Sequence, residues 1–373
     1  MRMTLPAQMQ NKPTIVIAAI SSRPYVKAAV DAGFEVIAID AYVDSDTQSM
    51  AQDCIQIECK QNQFDAEALL AALDSLSHRD IQGFSYGAGF EAQPELIAQI
   101  QQRMTLLGNT ADTIRHCKNP FEFAQFCQEN HFCTPPITQD TPGHLDGWLI
   151  KQVGGSGGAH VHHAQHYASV LNPDQYYQRF QAGLSISCLF LAAEDDVRIV
   201  GVNEQWVAAD TTMPFQYGGA ASHRDLDANL LAELTRFISL ASKHFRLKGL
   251  NSVDALLDGN QLVFLEINPR LSATIDLYAS NEGSLFAAHL SAFQSKALAA
   301  MRLIGQPKAH HIVYAKQITH IQMQHSWPDW VCDIPNKPQT FDIGMPICTV
   351  ISAAESAHAA KQLAQARAAS LKQ

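Results

Sequence analysis

The sequence predicts a small, doubly wound α/β domain followed by a larger α+β region, and three observations carry that prediction. The apolar run Ile15–Ile20 opens a strand–helix–strand order that closes at Asp40. Apolar-periodic helices then alternate with short apolar strands as far as Leu107. Beyond about residue 148 the pattern changes to paired strands and hairpins, with the helices set apart from them.

Residues 1–12 read as a flexible polar lead. Thr14–Ile20 lacks polar alternation, as a parallel strand buried on both faces does. Ser21-Ser22-Arg23-Pro24 starts a helix that runs through Ala32 to a Gly33 stop, and Glu35–Ile39 is the second strand. A parallel pair of this kind needs a right-handed crossover. A helix over Asp65–Leu76, a strand near Gly83–Tyr86, a helix over Pro94–Arg103 and Thr105–Leu107 continue the alternation, which sets the first domain at 13–117. A second domain, 118–305, holds a helix from Asn119 to Asn130, the strand Trp148–Lys151, strands Ser185–Ala193 and Val197–Val202, and a helix over Asp227–His244. The hairpin Ser252–Asn268 and a helix over Ser284–Leu298 complete it. Short strands (Ile312–Gln317, Ile347–Ile351) and an Ala-rich helix, Glu355–Leu371, make a C-terminal segment at 306–373.

The composition bounds the function. The chain has 373 residues, 47% hydrophobic and 17% charged, enough apolar surface for sizeable cores and too much for a disordered chain. Net charge is −10 and no basic run occurs, which argues against nucleic acid as a partner. No apolar stretch approaches the ~20 residues of a membrane helix. The eight cysteines show no CxxC pair and read as reduced thiols of a cytoplasmic protein. His160, His162, His163 and His166 lack a Cys or carboxylate at zinc spacing, so they and His310-His311 read as exposed polar strand or loop. The turn after the first strand is no G-x-G-x-x-G, which leaves a dinucleotide enzyme as a distant alternative.

Chemistry concentrates in Ser252–Arg270. Alternation along a strand puts Glu266 and Asn268 on one face, about 7 Å apart, with Val263, Leu265 and Ile267 on the other. Asp258-Gly259-Asn260 signals the hairpin turn. With an odd-numbered loop, Asp254 falls on the Glu266 face and diagonal to it. Two carboxylates and an amide are the hard oxygen donors that magnesium prefers, and Arg270 adds a fixed planar cation beside them. A second element is Lys151 at a strand end followed by Gly154-Gly155-Ser156-Gly157-Gly158. Glycine amides approach phosphate oxygens closely, and the lysine supplies a point charge. No Gly-Lys-Ser/Thr follows, so this is not a Walker loop.

Together these elements resemble the ATP-grasp superfamily, whose pattern is a lysine and glycine-rich loop, an adenine hinge, and an acid–x–Asn-Pro-Arg metal strand. Ser21–Pro24 with Asp40, Gly89–Glu91 with Pro94–Leu96, Phe215–Ala220, Trp330–Pro335 and Gly344–Val350 look like the ATP-dependent carboligases related to biotin carboxylase. The resemblance implies an ATP-grasp fold of two α+β lobes after a Rossmann-like domain. It implies that Lys118, Lys151 and the loop Gly154, Gly155, Ser156, Gly157 and Gly158 bind ATP phosphates, and that Gln178, Arg179 and Phe180 form the adenine hinge. Asp254, Glu266 and Asn268 would hold magnesium, two ions with manganese able to substitute, while Lys151 and Arg270 would be catalytic. The implied activity is an ATP-dependent ligase that joins a carboxylate to an amine (or thiol) through an acylphosphate, with relatives in one-carbon coenzyme biosynthesis. It leaves room for a homodimer. The alternatives are a small-molecule kinase and a nucleotide-binding regulatory module without turnover.

Overall fold

The computed structural model describes residues 12–166, 171–209, 213–294, 297–322 and 326–371. The polar lead therefore lies outside the described residues, apart from Lys12. Four parallel strands form the first sheet, in the spatial order Asp53–Gln56, Glu35–Asp40, Thr14–Ala19, Ile81–Tyr86. Alternate residues of its central strand go to opposite cores. Ile15, Ile17 and Ala19 pack with Tyr25, Val26 and Ala29 of helix Arg23–Asp31. Val16 and Ala18 pack with Leu69 and Leu73 of helix Ala66–Ser75 and with Ile97 of helix Pro94–Gln101. Helices on both faces explain why the strand reads as one unbroken apolar run.

Helix Ala111–Lys118 is absent from the sequence reading, because its polar residues Arg115, His116 and Lys118 hide the apolar face of Ile114 and Cys117. Thr110 caps it, and Asn119 ends it while starting helix Pro120–Glu129, accepting from the Phe121 and Glu122 amides through Oδ1. This abrupt turn fixes Lys118 at a helix C-terminus.

Two antiparallel sheets follow. The smaller joins Ile137–Thr138, Gln175–Arg179, Trp148–Gln152 and His162–His163. The larger has eight strands, from Gln261–Asn268 at one edge through Gly249–Asp258, Leu184–Ala192, Val197–Val207 and Tyr217–Ala221. It continues into the C-terminal strands Lys308–Tyr314 and Pro346–Ala353, so that segment extends the same sheet, closed by helix Ala357–Ser370. Helix Ala228–His244 covers the other end, where Phe237 stacks on Phe264 at 3.8 Å. Phe264 is fully buried, and truncating such a side chain to alanine costs about 3–5 kcal/mol.

The hairpin corrects the sequence reading. Its turn holds two residues, since Asp258 pairs with Gln261, and an even loop alone would put Leu265 opposite Asp254. A bulge restores the parity: Ala255 pairs with Phe264 but Asp254 pairs with Glu266, leaving Leu265 as the extra residue. Asp254 is thus directly across from Glu266 and not diagonal to it. The core side changes as well. Leu262, Phe264 and Ile267 enter the phenylalanine-rich core, whereas Leu265 is half-buried at the pocket of Lys118.

Candidate functional site

Three elements bring the polar groups of the site together. Strand Gly249–Asp258 supplies Asp254, strand Gln261–Asn268 supplies Glu266 and Asn268, and the end of helix Ala111–Lys118 supplies Lys118. Asn268 Nδ2 donates to Asp254 Oδ2 at 2.8 Å, while its Oδ1 accepts from Lys118 Nζ at 2.7 Å. The same ammonium stands 3.2 Å from Glu266 Oε2. Burial drives Asp254 upward, and the adjacent Glu266 charge adds to it. Burial would also raise Glu266, but Lys118, Lys151 and His160 outweigh it and hold that carboxyl below its usual range. Glu266 is therefore the more acidic member of the pair.

This set fits a magnesium ion. A cation, the Lys118 ammonium, already sits among its oxygens, and all three side chains border a cleft. Among the described residues no group of three His, Cys, Asp or Glu side chains forms a metal cage. Magnesium needs none, because one or two carboxylates plus phosphate oxygens are its usual partners.

Lys151 lies on strand Trp148–Gln152, buried and paired directly across the sheet with Tyr176. Burial would lower its pKa, yet Tyr176, Glu266 and Asp254 hold it above the ordinary lysine value. Lys118, Gln178, Tyr176 and Glu266 line one small pocket, so the structure groups Gln178 with Lys118. It does not do so for Arg179, whose guanidinium bonds the Asp146 carbonyl and lies 5.6 Å from the Trp148 ring. The amides of Arg179 and Phe180 already donate to Pro136 and Gly147 carbonyls, so neither is available to a base.

The glycine-rich loop is anchored to its neighbours. Ser156 is buried, its carbonyl accepts from Asn62 Nδ2 at 3.1 Å, and the Gly157 carbonyl accepts from the Tyr217 amide at 2.9 Å. At Gly158, with φ +74°, a Cβ would stand 1.9 Å from the Phe215 carbonyl oxygen. At Gly155 a Cβ would strike the His160 ring at 2.4 Å. His160 is therefore no exposed residue: it packs under the loop, burial lowers its pKa to about 4, and its Nδ1 is buried without a partner. His310 departs from the sequence reading too, since it is buried and hydrogen-bonded to the Tyr217 hydroxyl at 2.7 Å.

Arg270 and Glu91 form a link that the sequence analysis missed. Arg270 Nε donates to Glu91 Oε1 at 2.7 Å, and Glu91 Oε2 accepts from the Gly89 and Phe90 amides. Burial opposes the ionised form of Glu91, but Arg270 and Lys118 hold its pKa low. The only signal was the pairing of Gly89-Phe90-Glu91 with a family resemblance, which named no partner. Asp254, Glu266, Asn268 and Arg270 open into a cavity of about 380 Å³ that Gln216, Ser272 and Thr274 also line.

Comparison with known proteins agrees with this fold. Residues 117–274 match the family model of the ATP-grasp domain. The fold resembles an L-amino acid ligase from Bacillus licheniformis, at 12% identity and TM-score 0.64, covering 95% of this chain and 96% of that one. It also resembles a biotin carboxylase from Campylobacter jejuni, solved as a β,γ-ATP complex, at 13% identity and TM-score 0.68, covering 95% and 90%. An N5-carboxyaminoimidazole synthetase from Staphylococcus aureus with ADP gives 13% identity and TM-score 0.67, covering 95% and 97%. No curated protein matches the chain.

Proposed function

We propose that this chain, which carries an ATP-grasp domain over residues 117–274, is an ATP-dependent ligase that joins a small carboxylate to an amine through an acylphosphate. The observation that carries the reading is the convergence of Asp254, Glu266, Asn268 and Arg270 on one cavity deep enough for small substrates. Magnesium held by Asp254, Glu266 and Asn268 would supply charge neutralisation at the phosphates. Lys118 keeps Glu266 and Asn268 in register with Asp254. Lys151, which pairs with Tyr176 across the sheet, donates to a phosphate oxygen, and the amides of Gly154 and of 156–158 close over the phosphates while excluding water. Arg270, held by Glu91, presents its free guanidinium N–H groups to the carboxylate and keeps it in line for transfer. The amine then displaces phosphate, giving the amide and a released proton.

Among the described residues no helix is long and apolar enough to cross a membrane. The reading further takes two ions, manganese as a substitute, a cytoplasmic setting and one-carbon coenzyme amides as the first substrates to assay, all on the resemblance. Screening carboxylate–amine pairs tests it. A ligase releases ADP and inorganic phosphate only when both acceptors are present. ADP with a stable phosphorylated product would make the protein a kinase, and no turnover with any pair would make it a binding module.

A further inference from the structure

The cavity contains a second polar region that the ligation chemistry leaves without a role. At its centre is Arg23, with Nε 2.7 Å from Asp333 Oδ1 and Nη2 2.8 Å from Asp276 Oδ2. Asp46 stands 3.6 Å from the same Nε and accepts the backbone amides of Asp333 and Ile334. Asp44 lines the cavity at 6% exposure, and its Oδ2 has no hydrogen-bond partner. One guanidinium thus faces four carboxylates. Lys308 and His310 act on Asp276 as well, but burial lowers the His310 pKa to about 4 and keeps that ring neutral. The excess negative charge is expensive in a partly desolvated site. Burial first, then Asp333, Asp40 and Asp46, pushes the Asp44 carboxyl up to about 9.

An uncharged residue points the same way. Gln216 lines this cavity at 7% exposure; its Nε2 donates to the Gly344 carbonyl at 3.3 Å, while its Oε1 is buried without a partner. Two buried, unpartnered oxygens in one cavity call for a ligand that brings N–H donors. Tyr42, Tyr314 and Phe341 line the cavity too, and aromatic faces favour a cation over a neutral group.

We propose that one of the two substrates carries a protonated amino group that does not react, seated against Asp44, Asp333 and Gln216, and is therefore a diamine or an amino acid activated at its carboxylate. The word substrate rests on the ligase reading; the binding subsite does not.

Calorimetry with 1,5-diaminopentane and its neutral isostere 1,5-pentanediol separates the two. The diamine should bind the intact protein about tenfold or more tightly than the diol, as expected for charge-assisted hydrogen bonds. Asp44→Asn should abolish that difference while leaving ATP binding unchanged, and Gln216→Leu gives an independent arm should the first variant fold poorly. Equal affinities, or no diamine binding, would overturn the subsite. Phosphate release with 1,5-diaminopentane against 5-aminopentan-1-ol then separates the claims. Equal turnover overturns the subsite and keeps the ligase. Diamine binding without turnover of either the diamine or an amino acid, whatever co-substrate is supplied, keeps the subsite and removes the ligase.

Discussion

The Lys118 ammonium stands 2.7 Å from Asn268 Oδ1, tying the last residue of a helix to the last residue of a strand 150 positions away. Asn268 in turn donates to Asp254, so one amide side chain orders both a lysine and a carboxylate. Asn268→Ala should therefore disturb two partners at once, and Glu266→Gln only the charge. Both variants should melt cooperatively within a few degrees of the parent, because the core face of Phe264 and Ile267 is untouched. ATP turnover should fall by orders of magnitude in each. Wild-type turnover would remove the metal assignment.

Lys151→Ala should weaken ATP more than AMP, since the proposed contact is to phosphate oxygens. Its cross-strand neighbour Tyr176, which helps hold the Lys151 pKa up, supplies a graded control. Tyr176→Phe should shift ATP affinity in the same direction by a smaller factor. Equal losses for ATP and AMP, measured by calorimetry, would assign Lys151 a structural role.

The loop offers a matched pair. Gly157→Ala meets only Asn62 Nδ2 at 3.9 Å, whereas Gly158→Ala would drive a Cβ into the Phe215 carbonyl. Both positions have positive φ, so the shared backbone strain of about 1 kcal/mol cancels in the comparison. Gly158→Ala should lose ATP turnover far more than Gly157→Ala. Hydrogen exchange at 152–160 should slow when Mg-ATP is added; unchanged exchange would end the lid idea.

Glu91→Gln tests the buried pair with Arg270, whose side chains are 3% and 12% exposed. Breaking such a pair leaves an uncompensated cation, at about 3–5 kcal/mol. The variant should unfold earlier in denaturant and show a raised KM for the carboxylate substrate. An unchanged KM would mean that Arg270 does not depend on Glu91 for its position.

Acid sensitivity follows from His289, which accepts the Leu250 amide at Nδ1 and donates to the Leu107 carbonyl at Nε2. Burial lowers its pKa from 6.5 to about 4. The unfolded chain then binds a proton that the folded one refuses, so stability is complete above pH 6.5 and falls as pH drops toward 4. His289→Gln retains an acceptor and a donor but cannot titrate. Denaturant unfolding at pH 7, 6 and 5 should show a shallower decline for the variant, and an identical slope would refute the assignment.

The sequence by itself determined the parallel N-terminal sheet, because the unbroken apolar run Thr14–Ile20 and the stop at Gly33 are short-range signals of backbone geometry. It also determined the candidate metal strand, since Glu266, Asn268 and Arg270 lie within five residues and their spacing alone states a face. Helix Ala111–Lys118 escaped because its polar residues mask a narrow apolar stripe that only packing selects. The tertiary structure decided the rest: the bulge at Leu265 that sets Asp254 opposite Glu266, the burial of His160 beneath Gly155, the Glu91–Arg270 pair, and the carboxylates gathered around Arg23. These join residues up to 310 positions apart. No local periodicity encodes such a meeting, because it arises only when whole sheets close on a shared core and desolvate the groups between them.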